Sequence, residues 1–228
     1  MATVLIVDDQ ALIRQAVTDI LTGEAGIEVV GEAANGRDAV ALAAGLHPDV
    51  VVMDIRMPEL DGIGATKAIC SDPTLAHTRV LILTTFEEDE YLVNALRSGA
   101  SGFIGKGAEP EDIVRAVRAI HEGESLLSPA ATRSLITRYV LPVNPQDSAA
   151  AGTRTVPKEF EQLTEREREV LLLVARGRSN DEIAAEFFIS PHTAKTHVNR
   201  IMTKLDAHDR AQLVILAYET GYLAPGES

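Results

Sequence analysis

Apolar positions in residues 1–122 follow two alternating rhythms. Short, nearly all-apolar runs at Val4–Val7, Val29–Ala33, Val50–Met53, Val80–Thr84 and Gly102–Ile104 predict strands buried on both faces, as in a parallel sheet. Between them the spacing changes to that of helices. Leu12, Ile13, Ala16, Val17, Ile20 and Leu21 make i, i+4 pairs in the first such stretch, and Ile113, Ala116, Val117 and Ile120 do so in the last. Five β–α units predict an α/β doubly wound, five-stranded parallel sheet with the flavodoxin-like order 2-1-3-4-5. Ligands of such sheets sit at the carboxyl ends of the strands.

The rhythm breaks after residue 122. Ser128-Pro129 reads as an N-cap followed by a first-turn proline, opening a short helix with Leu135, Ile136, Tyr139 and Val140. Pro142, Pro145, the small residues of 149–152 and Pro157 then read as a linker, so 123–158 is expected to join two domains. Over 159–228 the spacing is helical. Thr164-x-x-Glu167 and Ser179-x-x-Glu182 are capping boxes, and Gly177 and Gly221 fall where helices should end. Ser179–Phe188 and Pro191–Leu205 read as two helices joined tightly through Ile189 and Ser190, which predicts a small all-α helix-turn-helix domain.

On the second of those helices Ala194, Val198, Ile201 and Leu205 form the buried stripe. His192, Lys195, Thr196, Asn199 and Thr203 lie opposite, with Arg200 and Lys204 alongside. The final helix carries two apolar strips, Ala211, Val214, Ile215 and Tyr218 on one and Leu213, Leu216 and Ala217 on the other. One core face hides two strips with difficulty, so one of them is expected to meet a second copy of the chain.

The net charge of −13 argues at first against a nucleic-acid partner. Its distribution reverses that. Residues 1–121 carry 9 basic and 19 acidic side chains, whereas residues 191–205 carry Lys195, Arg200 and Lys204 and no acid. A local basic helix face therefore survives in an acidic chain. Lys and Asn there can address base edges, while Arg, Lys, Thr and His can hold phosphates. Composition alone favours a small packing or dimerisation domain, since a basic helix face is usually just solvated. The single cysteine, Cys70, excludes an internal disulfide and fits a reducing compartment. The start of the chain has no basic segment or cleavage site, and its apolar runs are too short for a bilayer, so the expected location is cytoplasmic, with no membrane partner.

Asp8 and Asp9 follow the first predicted strand and Asp54 ends the third, its neighbour in the expected order. Three carboxylates on one rim call for a hard divalent cation, Mg²⁺ above all. Thr84 and Lys106 close strands on the same rim. An aspartate surrounded by Mg²⁺, a hydroxyl and an ammonium is equipped to accept a phosphoryl group. An Mg²⁺-dependent phosphatase would use the same nucleophile, but such enzymes place a second Asp two residues later, where this chain has Arg56.

These residues resemble the receiver domain of two-component systems. The resemblance rests on Asp8-Asp9, on Met53-Asp54-Ile55-Arg56-Met57-Pro58 with Asp61-Gly62, on Leu83-Thr84-Thr85, and on Gly102-Phe103-Ile104-Gly105-Lys106. It implies that Asp54 is the phosphoacceptor. Asp9, Asp54 and the backbone carbonyl of Arg56 would ligate Mg²⁺, with Asp8 acting through water. Thr84 and Lys106 would bind phosphoryl oxygens, and Phe103 would be the aromatic switch residue. Gly64 and Gly107 depart from the residues common in that family.

The C-terminal motifs, Leu163-Thr-Glu-Arg-Glu-Arg-Glu-Val170, Gly177-Arg-Ser-Asn-Asp-Glu-Ile183-Ala184 and Ile189-Ser-Pro-His-Thr-Ala-Lys-Thr-His-Val198 with Lys204-Leu205, resemble the LuxR-type DNA-binding domain. Together the two halves resemble a NarL/LuxR-type response regulator. That implies domains at 1–122 and 159–228, a sensor histidine kinase or small phosphodonor as the source of phosphate, promoter DNA as partner, a homodimer when phosphorylated or on DNA, and no enzymatic role. Lys195, Thr196 and Asn199 take the base-reading positions. Asp206 stands where glycine is common. A DNA-binding regulator indifferent to phosphorylation, with a purely structural receiver, is the other possibility the sequence leaves.

Overall fold

In the computed structural model, residues 1–84, 94–123 and 158–223 are described, and the chain divides into two compact units, Met1–Leu126 and Leu127–Ser228. The expected linker and its short helix fall almost wholly outside the described residues.

In the first unit, β1 (Ala2–Val7), α1 (Ala11–Thr22), β2 (Ile27–Ala33), α2 (Gly36–Leu46), β3 (Val50–Asp54), α3 (Gly62–Cys70), β4 (Arg79–Thr84), β5 (Gly102–Gly105) and α4 (Pro110–His121) follow one another. The strands are parallel in the order β2-β1-β3-β4-β5, as the pattern predicts. Val4, Ile6, Val50, Val52, Leu81 and Leu83 pack with Val17 and Leu21 of α1 and Val117 and Ile120 of α4 in one continuous core. Burial of β3 on both faces explains its unbroken apolar run. Leu12 departs from the expected pattern. It is 87% exposed, because the core side of α1 is set by Val17 and Leu21 with Ile13 and Ile20 beside them.

The second unit holds a short 3₁₀ turn (Lys158–Phe160), α5 (Glu165–Ala175), α6 (Asn180–Phe187), α7 (Pro191–Leu205) and α8 (Arg210–Glu219). Both expected capping boxes are formed, by Thr164 with Glu167 and by Ser179 with Glu182. Ser190 caps α7 by accepting from the Thr193 N–H, with Pro191 in the first turn. Phe188 and Asp206 end α6 and α7 in the left-handed region, at φ 55° and 52°. Such a residue reverses the chain within one turn, which makes the α6–α7 connection tight.

The expectation of a spare apolar strip on α8 does not hold. Ala211, Leu213, Val214, Ile215, Ala217 and Tyr218 are all buried, and Leu216 is half-buried. α8 packs against α5 and α7, and the chain beyond it returns to bury Tyr222 against Phe160, ring centroids 5.0 Å apart. A helix enclosed on several sides needs apolar residues around most of its circumference. No helix among the described residues is long and apolar enough to cross a membrane.

Candidate functional site

The register of the sheet explains how distant acids converge. Val7 of β1 lies beside Met53 of β3, so the next residues, Asp8 and Asp54, leave adjacent strands on the same rim. Their carboxylates and that of Asp9 all lie within 4.8 Å of one another. Asp8 is fully buried, Asp54 is 5% exposed, and Asp9 is open to solvent. The donors are carboxylate oxygens with no nitrogen or sulfur among them, which suits Mg²⁺. Arg56 follows on the exposed loop two residues beyond Asp54.

Lys106 compensates the buried charge. Its Nζ lies 2.8 Å from Asp8 Oδ2 and 2.9 Å from Asp54 Oδ2, and its side chain is 8% exposed. Burial pushes the Asp54 carboxyl above the usual range and the Asp8 charge adds to this, although Lys106 and the Ile55 N–H, 2.8 Å from Asp54 Oδ1, oppose it. Burial disfavours the Lys106 charge, but the two aspartates outweigh that and raise its pKa. Thr84 ends β4 opposite Gly105, half-buried, and its carbonyl accepts from the Lys106 N–H at 2.7 Å. Phe103 sits half-buried on β5, paired with Ile82.

Three supports of this rim were not legible as such in the sequence. Arg14 of α1 donates from Nη1 to the Asp8 carbonyl at 2.6 Å and from Nε to Glu32 at 3.1 Å, holding the ends of β1 and β2 together. Gly36 donates to the Leu60 carbonyl at 3.0 Å, tying α2 to the loop after Asp54. Gly62 donates to the Ile55 carbonyl at 2.8 Å and passes so close that a Cβ there would lie 2.0 Å from the Asp54 carbonyl oxygen. Gly64 leaves the start of α3 regular, since its N–H is capped by Asp61.

In the second unit, α7 buries Ala194, Val198 and Ile201 and exposes His192, Asn199, Arg200 and Thr203, with Lys195 and Thr196 half-exposed. One predicted member of this face is placed differently. The Lys204 ammonium is 2.6 Å from Glu167 of α5.

Residues 4–118 match the family described as response regulator receiver domain, and residues 161–217 match bacterial regulatory proteins of the luxR family. The chain belongs to the LuxR-type response regulators. It is 40% identical over 216 residues to the response regulator protein VraR of Staphylococcus epidermidis, covering 95% of this chain and 96% of that one. It is 37% identical over 219 residues to the transcriptional regulatory protein YxjL of Bacillus subtilis, covering 96% and 95%. Among solved structures it resembles the response regulator ChrA of a heme-sensing two-component system, at 31% identity and a TM-score of 0.50 over 97% of this chain and 98% of that one. The receiver domain of the response regulator NarL from Mycobacterium tuberculosis matches at 36% identity and a TM-score of 0.52, over 54% of this chain and 98% of that one. This response regulator is thus a two-component protein that controls transcription. Its acidic rim lies in the receiver half and its basic helix face in the LuxR-type half.

Proposed function

We propose that this response regulator is switched by phosphorylation of Asp54 and that the switch governs how α7 reads promoter DNA. The observation that carries the reading is the surroundings of Asp54, a buried carboxylate at a strand end with two further carboxylates and the Lys106 ammonium within contact distance. An Oδ of Asp54 forms the new bond to phosphorus as the donor's bond to phosphorus breaks. The electron pair leaves with the donor, the imidazole of a kinase histidine or the carboxylate of an acyl phosphate. Lys106 exchanges its carboxylate contacts for a phosphoryl oxygen, and the Thr84 hydroxyl donates to another. Asp8, Asp9 and Asp54, with the Arg56 carbonyl, would hold Mg²⁺, which when bound neutralises charge on the transferring group. Phe103, half-buried on β5, is the residue that would turn as Thr84 moves.

On the DNA side, Lys195, Thr196 and Asn199 address base edges from the major groove, and His192 and Arg200 hold phosphates. Two copies would bind half-sites about 10 bp apart. Of the second strip of α8, Leu213 and Ala217 are buried in a single copy and only half-buried Leu216 is left open to a contact between the two. The protein is expected to work in the cytosol, where promoter and kinase output meet.

Labelling tests the core of this reading. Acetyl phosphate with Mg²⁺ should add one phosphoryl group to the wild type and none to Asp54→Asn, and EDTA should abolish the reaction. Phosphate on another residue of the wild type would overturn the assignment.

A further inference from the structure

The far end of α7 is fastened to the start of α5 by bonds that neither the acidic rim nor the exposed face of α7 uses. Lys204 Nζ donates to Glu167 Oε2 at 2.6 Å and to the Gln162 carbonyl at 3.3 Å. Gln162 Nε2 donates in return to the Lys204 carbonyl. The same Glu167 oxygen accepts from the Thr164 N–H at 2.8 Å and the Thr164 hydroxyl at 3.0 Å. Two chain segments 42 residues apart therefore exchange side-chain and backbone bonds around one carboxylate whose side chain is 6% exposed.

Each bond has a local reason. The Lys204 carbonyl lies in the last turn of α7, where carbonyls lack partners within the helix, and Gln162 supplies one. An ammonium near a helix C-terminus is favoured by the backbone dipoles. Glu167 serves two helices at once, closing the N-terminal capping box of α5 and anchoring the end of α7. Withdrawing Lys204 to meet a DNA phosphate would leave a buried carboxylate without its cation, which is costly.

We propose that Gln162, Glu167 and Lys204 form a clasp that sets the pose of the recognition helix on DNA, and that Lys204 is a positioning residue and not a phosphate contact. The proposal rests on the reading of α7 as the DNA-reading helix. Its consequence is graded along that helix. The start of α7 is held by the Ser190 cap and its middle by Ala194, Val198 and Ile201. Beyond them the last turn has no fully buried residue, only half-buried Met202 and Leu205, so the clasp is its polar restraint. Asn199 lies five residues before Lys204 and Lys195 nine, roughly 7 and 14 Å along the axis. Loosening the end should displace Asn199 more than Lys195.

The test uses the full-length protein, an operator duplex selected from a random library, and a scrambled duplex. Anisotropy titrations run across a salt series for wild type, Lys204→Met, Gln162→Ala and Arg200→Ala, each with a thermal melt to establish folding. Lys204→Met should weaken operator binding by about tenfold, the order of one lost base contact, with scrambled binding and the salt slope unchanged. Arg200→Ala should lower the slope by about one on both duplexes. Single-base operator variants should show Lys204→Met losing discrimination mainly at the base pair that Asn199→Ala identifies. Gln162→Ala, which leaves the buried ion pair intact, should repeat the effect in weaker form and keeps the test decisive if Lys204→Met does not fold. A Lys204→Met protein whose salt slope falls by about one would make Lys204 a phosphate contact and overturn the clasp. Folded Lys204→Met and Gln162→Ala proteins with wild-type operator affinity would overturn it too, leaving the bonds a role in stability alone. A wild type that does not distinguish the two duplexes would instead remove the DNA reading itself, and the clasp with it.

Discussion

Gly62→Ala places one methyl group where the end of β3 meets the start of α3. A Cβ at this position would lie 2.0 Å from the Asp54 carbonyl oxygen and 2.9 Å from the Asp54 carbonyl carbon and the Ile55 Cα. All three are backbone atoms, so no side chain can rotate away. To reach the 3.4 Å of ordinary contact, α3 and β3 must part by roughly 1.4 Å. Overpacking of this kind costs about 1–3 kcal/mol. The Gly62-to-Ile55 bond of 2.8 Å is lost in the process, adding about 0.5–1.5 kcal/mol. The sum is roughly 2–4 kcal/mol, or a fall of about 8–16 °C in the receiver transition at ~4 °C per kcal/mol. Because the displaced atoms belong to Asp54 and its neighbour, labelling by acetyl phosphate should slow by about 100-fold. Calorimetry of the full-length protein gives the first quantity and a labelling time course the second. Gly45→Ala is the control, since a Cβ there meets nothing within 4 Å. It should leave both readouts at or above wild type. A Gly62→Ala protein that melts within about 1 °C of wild type and labels at its rate would refute the reasoning.

Phe188→Gly should stabilise the DNA-binding unit by about 0.5–1 kcal/mol. The phenylalanine is 96% exposed in a left-handed backbone, so the substitution relieves a strain of ~1–2 kcal/mol against an entropic cost of ~0.5–1 kcal/mol and sacrifices no packing; a lower melting transition would contradict this. The second unit should also lose stability in acid. Burial would raise the Glu167 carboxyl, but the Lys204 ammonium and the Thr164 bonds outweigh it and hold it below its ordinary 4.5. A depressed carboxyl contributes stability that is complete above the unfolded value and fades as pH falls through the folded one. The melting point should therefore drop more steeply below about pH 4.5 in wild type than in Glu167→Gln, and parallel curves would count against the clasp carboxylate.

The sheet was legible because β1, β3 and β4 are buried on both faces and so carry unbroken apolar runs. The carboxylates at their ends then needed only the strand order to converge. Helix ends were legible where a side chain makes the cap, as at Thr164, Ser179 and Ser190. What failed was the assignment of faces. Leu12 fits an i, i+4 pattern with Ala16, yet the core begins one position later. Apolar residues around α8 looked like surplus because periodicity describes one helix and not the enclosure its neighbours provide. Lys204 shares its side of α7 with solvent-facing residues, and only the fold reveals that Glu167 of a distant segment has claimed it. Gly36 and Gly62 support the rim through their backbone N–H groups and Arg14 through a backbone carbonyl, and bonds to the backbone leave little mark on side-chain pattern.

Operator affinity measured with and without acetyl phosphate, in wild type and in Asp54→Asn, tests the central claim most directly. Wild-type affinity should shift by about tenfold, within the usual range of coupling between two sites, and in step with the phosphoryl group appearing on the protein. Asp54→Asn should bind the operator with one affinity under both conditions. An equal response in Asp54→Asn, or no response in a fully phosphorylated wild type, would contradict the account.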